Sequence, residues 1–350
     1  MSKYFYKDKP IVGLDISQTS LKIMAINPKK MVVLGYGSLD VDPTKLRQSL
    51  DSDGSYLTEQ LDKLLKEKVV GRLPSNHVVL SIPSSKTYAR TITLPGDIKG
   101  ELLEAIKLEA DQYIPVPADQ LYIDYEITNK TADAIDTFMC AAPQHIIDTC
   151  IMAASNVQLK PVVVEPSMNA VARLLKLSEQ GELPTVIVDI GAANTDVAVL
   201  DKTIKVTGGT NIGGNTFTLD ISQALNTSLE HAHQLKVLKG LNASSEQVKL
   251  RKALGSNLDK IIEEVQKIMR YYEERVPDSK KIEQVLIIGG GSNIPGIGDY
   301  FTENMMLASR VASPWQVLNF AKLPQPARQF KPRYIAVAGL ACVIPKEIWS

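Results

Sequence analysis

Thr185 to Leu200, TVIVDIGAANTDVAVL, constrains this chain more than any other stretch. Thr185 to Asp189 reads as a buried strand ending in a carboxylate, and Gly191, Ala192, Ala193 and Asn194 make a small-residue turn. Thr195 to Leu200 reads as the returning strand of a hairpin. A turn without bulky side chains lets backbone N–H groups point at an anion. A carboxylate at the strand end is placed to hold a hydrated Mg2+ beside that anion. Taken alone, the stretch also describes an ordinary tight hairpin with Asp at its mouth. The pattern occurs twice, however. Val12 to Ile26, VGLDISQTSLKIMAI, has the same layout, with Asp15 aligned to Asp189, Ser17 to Gly191 and Lys22 to Asp196. Two such hairpins, each opening half of one chain, imply a duplicated α/β domain with a ligand held between the copies.

A chain of 350 residues is too long for one ordinary core, which predicts two domains. With 44% hydrophobic and 22% charged residues, its composition is that of a globular protein. A formal net charge of zero gives no electrostatic case for nucleic-acid binding. Cys140, Cys150 and Cys342 show no metal or redox spacing, and an odd, sparse set suits a reducing compartment. The opening MSKYFYKDKP lacks an apolar signal core, and no apolar run approaches the ~18 residues of a membrane span. The expectation is a protein that reaches a membrane only through a partner.

Along the first half, Met31 to Leu39 reads as a third strand, and Asp40 to Gly54 as a loop with a short helix. Tyr56 to Val70 is a helix carrying Leu57, Leu61, Leu64 and Leu65, and His77 to Ile82 is a strand stopped by Pro83. From Pro83 to Asn156 the order is strand, helix, strand, strand, helix, an inserted α+β lobe. Its first helix, Gly100 to Ile114, sets Leu103, Ile106, Ala110 and Tyr113 on one face and pairs Glu104 with Lys107. Lys160 to Leu177 is a strand and a helix, with Glu165 and Pro166 at the junction and Ser167 as N-cap. Glu165 there can equally be a solvated or capping carboxylate.

In the second half, Gly208-Gly209 and Gly213-Gly214 predict two tight turns. Gly209 to Thr216 nearly fits a P-loop, but Asn215 stands where Lys is required, so a Walker-type site is rejected. His231 and His233 diverge by ~200° on a helix and cannot clamp a metal. Ser256 to Tyr272 is a helix with one apolar core stripe, its other side pairing Lys260 with Glu264 and Glu263 with Lys267. After the strand Lys281 to Ile288, the run Gly289-Gly290-Gly291-Ser292 lets backbone approach a flat ring or a ribose. The dinucleotide register G-x-G-x-x-G is absent. Arg333 to Val343 is a small-residue helix, suited to close helix–helix approach.

The two hairpins resemble the phosphate-1 and phosphate-2 loops of the actin, Hsp70 and sugar-kinase superfamily. That resemblance implies an actin-like (ribonuclease H-like) duplicated fold that binds ATP and Mg2+. It assigns the phosphates to Asp15, Ser17, Gln18, Thr19 and Lys22 in the first copy. In the second copy it assigns them to Asp189, Gly191, Ala192, Ala193, Asn194 and Thr195. Asp15 and Asp189 would hold Mg2+ through water, and Ser17 stands where the superfamily usually has Gly. Ile212-Gly213-Gly214-Asn215-Thr216-Phe217-Thr218 matches a superfamily turn, so Gly213 and Gly214 join the site. Lys236 falls at the ribose position, with His233 where an acidic residue is usual. Gly289, Gly290, Gly291 and Ser292 resemble the adenosine motif. Glu165-Pro166 resembles the pair that orients the attacking water at the mouth of the first connecting helix.

The middle segment narrows the resemblance. Ile82-Pro83-Ser84, Arg90, Leu94-Pro95, Glu101-Leu102, Ala105-Ile106, Glu109-Ala110, Tyr113-Ile114-Pro115-Val116-Pro117 and Asp124-Tyr125 closely resemble the PilM family of type IV pilus assembly. The likeness runs in order over nearly the whole chain. It implies a first actin-like domain at 1–82, an inserted lobe at 83–158 and a connecting helix within 159–180. The second domain follows at 181–330, with a lobe of its own at about 221–281, and 331–350 returns to the first. It further implies a cytoplasmic protein, at most a slow ATPase, peripheral to the inner membrane through partners. The expected partner is the N-terminal tail of a PilN-like membrane protein with an Asn-Leu-Leu-Pro-like core, bound between the lobe and the first domain's sheet. Other pilus assembly components and self-association are further expectations. Two readings compete. A small-molecule kinase of the superfamily needs a catalytic acid that the lobe does not convincingly supply. An FtsA-like filament protein would carry a C-terminal amphipathic membrane helix, for which ACVIPKEIWS is too short.

Overall fold

The computed structural model describes residues 9–82, 86–98, 102–179, 183–242 and 248–348. The chain forms two units, Met1–Glu179 with Pro314–Gln325 and Ala336–Ser350, and Gln180–Ser313 with Pro326–Ile335. Pro83, Ser84, Gly100, Glu101 and Gly181, named above in motifs and boundaries, lie outside the described residues.

In the first unit, Val12–Ser17 (β1), Ser20–Asn27 (β2) and Val32–Asp40 (β3) make an antiparallel meander. The next elements are helices Pro43–Leu50 (α1) and Ser55–Lys63 (α2), a π-helical turn at Leu64–Lys68, and short strand Val70–Gly71 (β4). Asp42 starts α1 by accepting from the Thr44 and Lys45 N–H groups at 2.9 and 3.0 Å. The 3.6-residue spacing of Leu57, Leu61 and Leu64 puts all three on the face that is fully buried. His77–Ile82 (β5) then runs parallel to β1.

The inserted lobe comprises Tyr88–Pro95 (β6), Leu102–Asp111 (α3), Leu121–Lys130 (β7) and Ala134–Pro143 (β8), with strand order β6-β8-β7. It has its own core of Ile92, Leu94, Ile106, Ala110, Leu121 and Met139. Leu103 is not part of that core. It is 39% exposed, and Leu102 and Ala105 pack inward with Ile106 instead. Glu104 and Lys107 pair at 2.8 Å, as the spacing predicts. Gln144–Asn156 (α4) leads to Lys160–Pro166 (β9), parallel to β5, and to Ser167–Ser178 (α5). Ser167 is the first helical residue of α5, one place past the cap position expected for it. The first unit's main strand order is β4-β3-β2-β1-β5-β9.

The second unit repeats the plan. Thr185–Ile190 (β10), Thr195–Asp201 (β11) and Thr203–Thr210 (β12) form the meander. Helices Gly214–Leu225 (α6), Leu229–Leu238 (α7) and Val248–Arg275 (α8) follow, then Gln284–Ile288 (β13), Ile297–Met305 (α9) and Ala308–Val311 (β14). The strands lie in the order β14-β13-β10-β11-β12. Antiparallel and parallel pairings match those of β9-β5-β1-β2-β3 one for one. Even the bulge at Ala25/Ile26 has a counterpart at Val199/Leu200. The apolar stripe of α8, from Leu250 to Tyr272, closes this unit's core against Val197, Val199 and Val206. On its outer side Lys267 pairs with Glu264 at 3.3 Å, not with Glu263. Gly208 and Gly209 are not a turn. They lie in β12, where a Cβ would strike Ile268 or the Thr195 carbonyl.

The last described elements are Ile335–Ala341 (α10) and the short helix Pro345–Ile348 (α11). Pro314–Gln325, expected in the second domain, groups with the first unit instead. Long-range backbone pairing explains it: Val33 N–H donates to the Asn319 carbonyl and Asn319 N–H to the Met31 carbonyl, both at 2.8 Å. Tyr36 stacks edge-on against Phe320 and donates to the Pro324 carbonyl at 2.7 Å.

Candidate functional site

Each unit carries one of the two Asp-bearing hairpins. In the first, register sets Lys22, Asp15, Ser81 and Glu165 side by side on β2, β1, β5 and β9. Residues opposed in register share a face, so the row is polar across an otherwise apolar sheet. Lys22 Nζ donates to Asp15 Oδ2 at 2.8 Å, and Ser81 Oγ donates to Asp15 Oδ1 at 2.7 Å. Lys22 also donates to Ser17 Oγ at 3.1 Å. Both Lys22 and Asp15 are buried, so the pair forms in a medium where leaving either one alone is strongly destabilising. Gln18 and Thr19 form the turn that Ser17 and Ser20 close. Ser17 Oγ donates to the Ser20 carbonyl at 2.8 Å, and Val41 N–H donates to the Thr19 carbonyl at 3.0 Å.

Glu165 is the penultimate residue of β9, and both its oxygens accept from Arg173, each at 2.8 Å. This is a structural use of the carboxylate. A carboxylate has about four lone-pair sites, so two remain for a further donor.

In the second unit the turn is built on the same register. Asp189 opposes Asp196 as Asp15 opposes Lys22, and Gly191 N–H donates to the Asn194 carbonyl at 2.8 Å. The Gly191 and Ala192 carbonyls accept from the Gly214 and Asn215 N–H groups at 2.9 and 2.8 Å. In a trans peptide the C=O and the following N–H point opposite ways. The N–H groups of Ala192 and Ala193 therefore point away from α6, as an anion cradle requires. Gly213 is obligatory here, since a Cβ would lie 2.8 Å from the Ala192 carbonyl and the Asn194 N–H. Thr195 Oγ1 donates to the Ile212 carbonyl at 2.7 Å and locks the turn to the start of α6.

Gly289, at φ +80°, follows β13, and a Cβ on it would strike the Asp189 carboxylate. A Cβ on Gly291 would strike Ile190. Ser292 Oγ closes the turn on the Gly289 carbonyl at 2.7 Å. The glycine run thus exists so that backbone can lie against the end of β10, beside Asp189. Lys236, expected at the ribose, is buried and donates to the Gly214 carbonyl at 2.7 Å and to Thr218 Oγ1 at 2.8 Å. Burial lowers its ammonium to about 8. His233 on the same helix is exposed as a residue, and partial desolvation of its ring, then the Lys236 charge, lowers its value.

The donor set suits a divalent cation bound through water. Like charges directly opposed across two strands repel. Asp189 and Asp196 are so opposed, whereas Asp15 faces Lys22. Asn194 Nδ2 donates to Asp196 Oδ2 at 2.9 Å, which fixes that carboxylate. Among the described residues no cluster of three or more His, Cys, Asp or Glu could hold a metal directly. Sequence reasoning missed three residues of this row and its surroundings: Ser81, Asp196 as a site residue, and Arg173. Only the alignment of Asp196 with Lys22 gave a signal.

Comparison with known proteins adds the following. The family described as type IV pilus assembly protein PilM matches residues 13–343. The cell division protein FtsA of Pseudomonas aeruginosa is 25% identical over 252 residues, which are 60% of this chain and 59% of that protein's length. The fold is similar to the structure titled "PilM-PilN type IV pilus biogenesis complex", with TM-score 0.78 and 21% identity over 95% of this chain and 98% of that one. It is also similar to MreB5 of Spiroplasma citri bound to ADP, with TM-score 0.51 and 16% identity over 95% of each chain.

Proposed function

The chain belongs to the type IV pilus assembly protein PilM family, and from that premise we propose that it is an actin-like ATP-binding protein of a pilus-type machine. The observation that carries the nucleotide part is the repeated strand–Asp–turn–strand hairpin, set at the same place in two five-strand runs of matching order, β9-β5-β1-β2-β3 and β14-β13-β10-β11-β12. In this reading Ser17, Gln18 and Thr19 with Lys22 contact phosphate from the first unit. The amides of Ala192 and Ala193, in the turn from Gly191 to Thr195, do so from the second, on the frame of Gly213, Gly214 and Lys236. Gly289, Gly290, Gly291 and Ser292 line the adenosine. Mg2+, when bound, neutralises charge on the β- and γ-phosphates. Asp15 and Asp189, with Asp196 opposite Asp189, would hold its waters. Glu165 orients the attacking water, and turnover is slow because a nucleotide switch needs a long-lived ATP state.

The partner in this reading is the N-terminal cytoplasmic tail of a PilN-like membrane protein, seated on the inserted lobe. The similar solved structure is that of a PilM–PilN type IV pilus biogenesis complex. The lobe offers an edge strand, β7, whose Tyr122 and Ile127 are 47% and 45% exposed. An extended tail can add to such an edge by main-chain hydrogen bonds, with leucines as apolar anchors. Among the described residues no helix is long and apolar enough to cross a membrane. In this reading the bound tail links the chain to the inner membrane. Titration calorimetry with a peptide carrying an Asn-Leu-Leu-Pro core tests this. The expected result is micromolar or tighter binding, weakened by Ile127→Asp. Absence of heat with and without ATP would end the partner assignment and leave the nucleotide site standing.

A further inference from the structure

Glu165 is held by a residue that its sequence pattern did not mark. Arg173 Nη1 donates to Glu165 Oε1 and Nη2 to Oε2, both at 2.8 Å, and Nη1 donates also to the Gly339 carbonyl at 3.0 Å. Arg173 belongs to α5 and Gly339 to α10. A planar fork on a carboxylate fixes the plane of the carboxylate as well as its distance, which an ammonium cannot do. The third contact refers that plane to a second helix. The helices leave no slack, because a Cβ on Gly339 would collide with the Ala170 carbonyl of α5. Glu165 is largely enclosed, with its side chain 11% exposed, while that of Arg173 is 32% exposed. The guanidinium therefore lies on the outer side of the pair.

We infer that Arg173 is a positioning residue for hydrolysis. It sets the plane of the Glu165 carboxylate and, through the Gly339 carbonyl, makes that plane follow α10. The inference rests on the reading of Glu165 as the residue that orients water. In the step concerned, the water oxygen bonds to the γ-phosphorus. The bond from phosphorus to the β–γ bridging oxygen breaks, and its electron pair leaves with ADP. One water proton stays on the phosphate and the other passes to solvent. Glu165 accepts a hydrogen bond from the water, and Arg173 touches neither water nor nucleotide.

The test is a double-mutant cycle on the full chain with MgATP, reading ATP affinity and single-turnover hydrolysis for wild type, Glu165→Ala, Arg173→Lys and the double variant. Arg173→Lys keeps the charge and loses the fork. The expected result is wild-type ATP affinity, a hydrolysis rate lowered about tenfold or more, and no further loss when the change is made in the Glu165→Ala background. An equal loss in both backgrounds overturns the inference, since Arg173 would then act independently of Glu165. So does a wild-type rate in Arg173→Lys when Glu165→Ala is slow, an outcome that leaves the role of Glu165 intact. A wild-type rate in Glu165→Ala with ATP bound removes the reading of Glu165 and this inference with it. Arg173→Gln replaces the lysine variant in the same cycle if melting shows that lysine destabilises the chain.

Discussion

At the scale of single residues, the site is built from buried charges with different companions. Lys22 has a carboxylate, whereas Lys236 has the Gly214 carbonyl and the Thr218 hydroxyl. The difference is testable through pH. Burial lowers Lys236 from its usual 10.5 to about 8. The folded chain therefore binds that proton less tightly than the unfolded chain does. The cost of burying the ammonium is full below about pH 8 and is relieved as pH rises toward the unfolded value. Wild type should thus gain stability relative to Lys236→Met between about pH 8 and about pH 10. Urea unfolding of both proteins across that range measures it, and parallel curves would show that the buried ammonium carries no penalty. The hairpin Asp residues, the small-residue turns and the Gly289 run were legible in the sequence because strand-end and turn chemistry is local. Ser81 and Arg173 were not, because Ser81 meets Asp15 only through β1–β5 register and Arg173 meets Glu165 only once β9 turns into α5.

At the scale of elements, close approach decides which glycines matter. The crossing of α5 and α10 was legible as a small-residue helix, and Gly339 is the position where the two backbones touch. Gly339→Ala should destabilise the chain by about 1–3 kcal/mol or more, since neither backbone can move aside without repacking. Gly290→Ala is the matched control: its Cβ would meet nothing closer than Arg333 Cγ at 3.9 Å, an ordinary contact. Its unfolding midpoint should shift little. Equal shifts for the two variants would contradict the account of the crossing. Other elements were less legible. Spacing alone places Leu103 inward because α3 is amphipathic on either of two overlapping faces, and only the docked sheet of the lobe selects Leu102, Ala105 and Ile106. Gly208 and Gly209 looked like a turn by composition, yet they serve β12, where Thr195 and Ile268 leave no room for a side chain.

At the scale of the whole molecule, the duplication is the organising fact. Two meanders joined to parallel strands, with matching order and matching bulges, account for both halves of the chain once the lobe of β6, β7, β8 and α3 is set aside. The doubled plan could be read from two hairpins, because each repeats the same alternation of strand, acid and turn. The excursion of Pro314–Gln325 into the first unit could not, since it rests on backbone pairing with Met31 and Val33 and on rings far away in sequence. The central claim is the proposed one, that the chain binds MgATP through its Asp-bearing hairpins. Thermal unfolding of the nucleotide-free full chain, with and without MgATP, tests it most directly. At ATP about 100 times Kd the account predicts stabilisation of about 2.7 kcal/mol, with a smaller shift when EDTA removes the divalent cation or when Asp189 is changed to Asn. A midpoint that stays flat on adding saturating MgATP would contradict it.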